Sequence, residues 1–148
     1  MVNMANKGTD YLVGTNMTVY MNNVKITEIA SCELKVTGKF DDVNQAGEFG
    51  TTYVYLGYEC SGTLKLNKMR SVGASIVGEA YLTGEMPQLK VSGAVTNKVT
   101  KQTGRMEFYD VVVTEFGLNS EVKKLITEEI PIKAGSFKVL DKINPITV

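Results

Sequence analysis

Histidine is missing from the 148-residue chain. A chain without it has no imidazole base near neutral pH, no Ser-His couple, and few routes to a zinc site. Cysteine is nearly missing. Cys32 and Cys60 make neither a CxxC motif nor a metal quartet. Both lie in strand-like runs and read as small buried thiols of a reducing compartment. Excess charge is missing as well: 16 basic residues balance 16 acidic ones, so no net field draws the chain toward nucleic acid or an anionic membrane. Neutrality also leaves a protein less protected against self-association. No window reaches the roughly 18 apolar residues of a membrane-spanning helix. The first eight residues show no apolar core of a secretory signal, so none is expected and no membrane anchor is read.

Catalytic motifs are equally scarce. No GxxxxGK[ST] or GxGxxG run follows a strand-like segment. The adjacent carboxylates are Asp41-Asp42 and Glu128-Glu129. Neighbours in a strand point to opposite faces, so Glu128 and Glu129 do not form an acid/base pair. Asp41-Asp42 reads as a solvated loop tip rather than a cation site. The expectation is a non-enzyme with no cofactor, no metal site and no catalytic residue.

What is present is β-periodicity. Residues 17–20 are short and β-prone, and Asn22-Asn23 tolerates the positive φ of a tight hairpin turn. Residues 25–37 alternate, with Ile26, Ala30, Cys32, Leu34 and Val36 on one face and Lys25, Thr27, Ser31, Glu33 and Lys35 on the other. A long Gly-containing loop is expected over 37–52. Residues 52–66 alternate again. Val54, Leu56, Tyr58, Cys60, Leu64 and Leu66 fall on one side and Tyr53, Tyr55, Glu59, Ser61, Thr63 and Lys65 on the other, with a bulge suggested at Gly57 or Gly62.

A helix is predicted over about 68–82, capped by Asn67, carried by Met69, Val72, Ile76 and Ala80, and stopped at Gly84 and Pro87. Gly73 and Gly78 inside it make sense only if something packs closely on them. Strands are expected over 89–99, 105–116 and 122–134, with 137–140 as an extension or short edge. The fold class is mainly β with one helix (α+β): an antiparallel β-sandwich or barrel of about six strands, the helix capping an open side. Residues 1–15 read as a flexible arm before a single domain over 16–148.

The arm and the long loop carry apolar side chains without a local periodic partner: Tyr11, Leu12, Val13, Phe40 and Phe49. Such residues are liabilities in solvent and are buried at a subunit contact. Tyr11, Leu12, Lys39, Phe40, Asp41, Asp42, Phe49 and Tyr53 are the candidates for contacts between subunits. In a closed sheet shared by several copies, the polar strand faces would line a wet lumen and the open edges would vanish. Ser31, Glu33, Lys35, Glu59, Ser61, Thr63 and Lys65 are the lumen candidates.

The order and spacing of these elements resemble a known family. The stretches that carry the likeness are Thr18-Val19-Tyr20-Met21-Asn22-Asn23-Val24-Lys25, Val36-Thr37-Gly38-Lys39, and Glu59-Cys60-Ser61-Gly62-Thr63-Leu64-Lys65-Leu66. The helix and Thr83-Gly84 follow, then Thr103-Gly104-Arg105, and Asp110-Val111-Val112-Val113 with Leu118. Across residues 16–143 the chain resembles the tail tube proteins of contractile phages, PBSX-like defective prophages and R-type phage-tail-like bacteriocins.

The resemblance implies a tail-tube β-sandwich or barrel with a flanking helix. It implies homohexameric rings whose long strands join into one inner barrel, stacked through loop 37–52 and the chain ends inside a contractile sheath. The implied partners are other copies of the chain, a sheath protein, baseplate proteins and a tape-measure protein. The implied setting is synthesis in a bacterial cytoplasm and assembly into a virion tail or tail-like particle. The tube would pass DNA without specific binding, or puncture a membrane as part of a bacteriocin. Two other readings stand beside it. One is a hexameric ring like that of type VI secretion, or a baseplate or tail-completion protein. The other is a small β-barrel binding module for a hydrophobic ligand.

Overall fold

The computed structural model describes Gly8, residues 11–69, residues 72–143 and Pro145. Within them lie β1 (Met17–Met21), β2 (Val24–Ile26), β3 (Ile29–Val43), β4 (Thr52–Asn67), α1 (Val72–Thr83), β5 (Leu89–Thr96), β6 (Thr103–Val113), β7 (Thr127–Ala134) and β8 (Ser136–Asp141). All strand pairs are antiparallel. One sheet runs β2-β1-β5-β6-β8 and the other β3-β4-β7, joined to the first through the end of β6.

The join has a local cause. Residues 105–109 of β6 pair with β8, whereas Val112 and Val113 pair with β7. Between them Asp110 adopts φ 53°, which bends the strand from one sheet into the other. Gly135 closes the same corner between β7 and β8. Its N–H donates to the Tyr109 carbonyl at 3.1 Å, and a Cβ there would lie 3.3 Å from Asp110 Cβ. The result is an antiparallel sandwich with shared strands, the expected fold class.

The core fills the space between the sheets. Val19, Leu64, Leu66, Val91, Phe108, Val111, Val113, Ile130 and Ile132 are fully buried, and Val72, Val77 and Ala80 bring α1 onto them. Burying each large side chain contributes roughly 1.5–3 kcal/mol, the dominant favourable term. The strict alternation of β7 shows how the sequence selects the face. Glu128, Ile130 and Ile132 point inward while Glu129 and Lys133 are exposed. Gly73 has the close neighbours that its place in a helix demands: a Cβ would lie 2.5 Å from Glu128 Oε1 and 3.1 Å from Phe116 Cβ. Gly78 does not; the nearest atom to its virtual Cβ is Phe116 Cζ at 4.0 Å.

Several boundaries differ from the sequence expectation. The described residues form eight strands rather than six. The run expected over 25–37 splits at Thr27 and Glu28, because β2 belongs to one sheet and β3 to the other. There the Glu28 carbonyl accepts the Asn67 N–H at 2.9 Å. Asn67 therefore ends β4, paired with Thr127, instead of capping a helix from 68, and α1 begins at Val72. The strand expected over 122–134 starts only at Thr127, where β4 first offers a partner. The strand expected over 89–99 stops at Thr96, where Asn97 Oδ1 accepts the N–H groups of Val99 and Thr100 and turns the chain. Of the expected arm over 1–15, residues 1–7, 9 and 10 lie outside the described residues. Tyr11, Leu12 and Val13 are exposed, and Gly14–Asn16 forms a 3-10 turn.

The largest correction concerns loop 37–52. β3 continues to Val43 and β4 begins at Thr52, leaving residues 44–51 as the connection. Gly38, Asp41 and Asp42 are poor strand formers, but the ladder to Tyr53, Val54 and Tyr58 satisfies their backbone groups. Gly38 has a positive reason to be there: the Phe40 ring lies over it, with Cε2 2.7 Å from where a Cβ would stand.

Candidate assembly surfaces

The β3–β4 hairpin is longer than the body that supports it. β7 covers β4 only from Cys60 to Asn67. Beyond that, residues 37–43 and 52–59 pair with each other alone and are exposed apart from Gly57, which is partly covered. At roughly 3.3 Å per residue the overhang reaches about 25 Å from the body.

Its geometry is set by a bulge. The register passes from Lys39↔Gly57 to Phe40↔Tyr55, skipping Leu56, with Gly57 at φ 142°. One extra residue reverses the alternation, so Tyr53 and Tyr55 share a face with Phe40 and Tyr58, not with Glu59 and Ser61 as the unbroken period predicts. Phe40 and Tyr55 pack as a tilted ring pair, centroids 5.7 Å apart. At the tip, Thr51 Oγ1 donates to Asn44 Oδ1 at 2.9 Å, Gly47 adopts φ 88°, and Phe49 stands fully exposed. Phe40, Tyr53, Val54, Tyr55, Leu56 and Tyr58 are exposed along the shaft. From Phe40 to Tyr58 the chain carries Asp41, Asp42 and Glu48 and no cation. Unbroken alternation predicts Val54, Leu56 and Tyr58 on one inward apolar face. Instead the bulge turns Val54 to the side of Asp41 and leaves Leu56 unpaired, while Tyr58 keeps its side and packs edge-on against Phe137 of β8, ring centroids 5.2 Å apart.

The second surface is the polar face of β3, β4 and β7. The register sets Ser31 opposite Lys65, Glu33 opposite Thr63, Lys35 opposite Ser61 and Thr37 opposite Glu59. β7 adds Glu129 beside Lys65, Pro131 beside Thr63 and Lys133 beside Ser61. All seven lumen candidates thus share one face. Its charges are knitted across strands: Glu59 faces Lys39 at 3.8 Å and Lys133 at 3.9 Å, and Lys65 faces Glu129 at 4.0 Å. These are exposed pairs, each worth at most about 1 kcal/mol. β3 has its only ladder with β4 among the described residues, so the other edge of this 15-residue strand is unpaired.

Sequence reading missed the outer face of the other sheet. There the Tyr109 hydroxyl donates to Glu107 at 2.5 Å, Lys90 reaches Glu107 at 3.5 Å, and Lys90 and Lys138 lie over the Tyr109 ring. These residues come from three strands, and no local pattern links them. An apolar groove of about 280 Å³ runs between the β1–β2 hairpin and α1, lined by Met21, Val24, Ile26, Val72, Ile76 and Leu89, and it is open to solvent. Cys32 and Cys60 are free thiols, and burial raises the Cys32 pKa to about 11. Among the described residues no group of three or more His, Cys, Asp or Glu could hold a metal ion, and no helix is long and apolar enough to cross a membrane.

No curated protein matches the sequence. Solved structures match the fold. The chain is similar to a chain of the sheath-tube complex of an extracellular contractile injection system (PVC) in its extended state, with TM-score 0.72 and 9% identity over 89% of this chain and 93% of that one. It is similar to the SPP1 tail tube, with TM-score 0.66 and 11% identity over 90% and 81%. It is also similar to a chain of the tail of an empty gene transfer agent particle solved with C6 symmetry, with TM-score 0.56 and 13% identity over 92% and 99%. The model of the phage tail tube protein family matches residues 4–141, nearly the whole chain. This chain belongs to the phage tail tube protein family and is a structural tube subunit.

Proposed function

We propose that copies of this chain form hexameric rings that stack into a tube within a contractile sheath. The open edge of β3 carries this reading. A 15-residue strand with one unpaired edge is a template for another chain, and closing it in a ring removes every edge of the sheet. The polar face of β3, β4 and β7 then lines the lumen, and the apolar hairpin overhang reaches the next ring. Tyr11, Leu12, Phe40, Phe49 and Tyr53 become buried there, and Lys39, Asp41 and Asp42 lie at the rim of that contact. Similar chains come from a sheath-tube complex, a six-fold symmetrised baseplate and a tail with C6 symmetry, which supports sheath and baseplate partners and the six-fold ring. A tape-measure protein inside the lumen belongs to the same picture. The role is structural and non-enzymatic, and the place of action is a virion tail or tail-like particle built from subunits made in the cytoplasm. The balanced charge of the lumen face suits passage of DNA without specific binding.

Negative-stain electron microscopy of concentrated protein tests this. Rings and tubes are expected. Replacing residues 40–55 by an Asn-Gly turn should leave a folded subunit that forms no tubes. A wild-type protein that stays monomeric at high concentration, or a shortened one that still stacks normally, would overturn the proposal.

A further inference from the structure

We infer that Glu33 and Lys35 set the register in which the edge of a second copy pairs with β3; this rests on the tube reading. Inside the chain, register is fixed covalently and locally. The 44–51 connection and the Gly57 bulge lock β3 to β4. No turn connects β3 to a neighbouring copy, so that ladder needs another determinant.

Alternation supplies half of it. Cys32, Leu34 and Val36 pack against the core, so a slip of one residue would bring the partner strand's wet-face side chains onto that apolar side. A slip of two residues carries no such penalty, since every side chain keeps its side. Only wet-face residues that differ from their neighbours two positions away can oppose it. Along the part of β3 that β4 and β7 back, these are Ser31, Glu33, Lys35 and Thr37, which read neutral, negative, positive, neutral; Lys39, on the same face farther out, is taken up by Glu59. A two-residue slip moves Lys35 to where Glu33 was, so one partner charge meets the wrong sign and the other meets a neutral residue.

The ion pairs of this face single out the same two residues. Glu59 and Lys65 on the central strand, and Lys39 on β3, have partners within 4.0 Å inside the chain. Among the described residues, Glu33 and Lys35 have none. Where β7 backs β4, they are the unmatched charges of the face, and they stand on its open edge. The partner edge therefore presents a cation opposite Glu33 and an anion opposite Lys35. Opposite charges across a ladder stabilise it, and like charges directly opposite destabilise it.

The test compares wild type with E33K/K35E and with the neutral E33Q/K35Q. Both positions are exposed, so the melting temperature of the unassembled subunit should be unchanged. The charge-swapped protein should show a critical concentration for assembly raised about tenfold and, by electron microscopy, tubes of mixed diameter. The neutral protein should fall between. If the swap disturbs folding, the neutral variant supplies the readout. Swapped or neutral protein with wild-type critical concentration and one diameter overturns this inference and leaves the tube reading intact. Wild type that forms no ring or tube overturns both.

Discussion

Glu128 Oε1 accepts the backbone N–H of Gly73 at 3.1 Å, joining two residues 55 positions apart in the chain. The carboxylate sits on β7, only 5% exposed, and answers one of the unsatisfied N–H groups of the first turn of α1. Its Oε2 faces the Lys68 ammonium at 3.9 Å. Glu128→Ala should cost about 2 kcal/mol, the range of a charge-assisted hydrogen bond in a buried setting. Glu128→Gln, which keeps an oxygen for Gly73, should cost less. Urea unfolding of the unassembled subunit measures both.

The two helix glycines should respond with opposite sign. At Gly73 a methyl group meets Glu128 Oε1 at 2.5 Å and Phe116 Cβ at 3.1 Å. Overpacking costs about 1–3 kcal/mol and outweighs the roughly 1 kcal/mol gained in helix propensity. Gly73→Ala should therefore destabilise. Gly78 has 4.0 Å to its nearest neighbour, so Gly78→Ala should raise stability by up to about 1 kcal/mol. Thermal melts of the pair against wild type decide this.

Gly57 carries the bulge that turns the hairpin tyrosines. At φ 142° a β-branched residue is strained by about 1–3 kcal/mol. Gly57→Val should relax toward an unbulged ladder, which returns Tyr55 to the other face and separates it from Phe40. The body, held by β7 and the core, should keep its melting behaviour while tube yield falls. Normal tubes from this variant would show that the tyrosine face is not used.

Cys32 and Cys60 should resist alkylation in the folded subunit. With its pKa raised to about 11 by burial, against an ordinary value of 9.0, the Cys32 thiolate is about a hundredfold scarcer at pH 8. Iodoacetamide labelling followed by mass spectrometry should show modification only on unfolding. The linked stability has a definite sign. The folded state holds the thiol proton more tightly, so this contribution is complete below pH 9 and is lost as pH rises toward 11. Cys32→Ala should flatten that part of the stability profile.

Much of the fold is written in local pattern. Alternation through Cys32, Leu34 and Val36, and through Cys60, Leu64 and Leu66, fixed which side faces the core. Asn22-Asn23 marked a turn that adopts φ 50° and 67°, and Gly73 announced the close approach of Glu128 and Phe116. The absence of histidine and of any phosphate loop was decided by composition alone. Tertiary structure decided where each strand stops, because a strand lasts as long as a partner's backbone answers it, and that partner lies far away in sequence. So β3 runs through Gly38, Asp41 and Asp42 to Val43, and β7 waits until Thr127. Tertiary structure also decided that Tyr53 and Tyr55 join Phe40, because a single skipped residue at Leu56 inverts a period of two. The open edge of β3 and the unmatched Glu33 and Lys35 follow from strand order, which long-range hydrogen bonds set and local alternation does not encode.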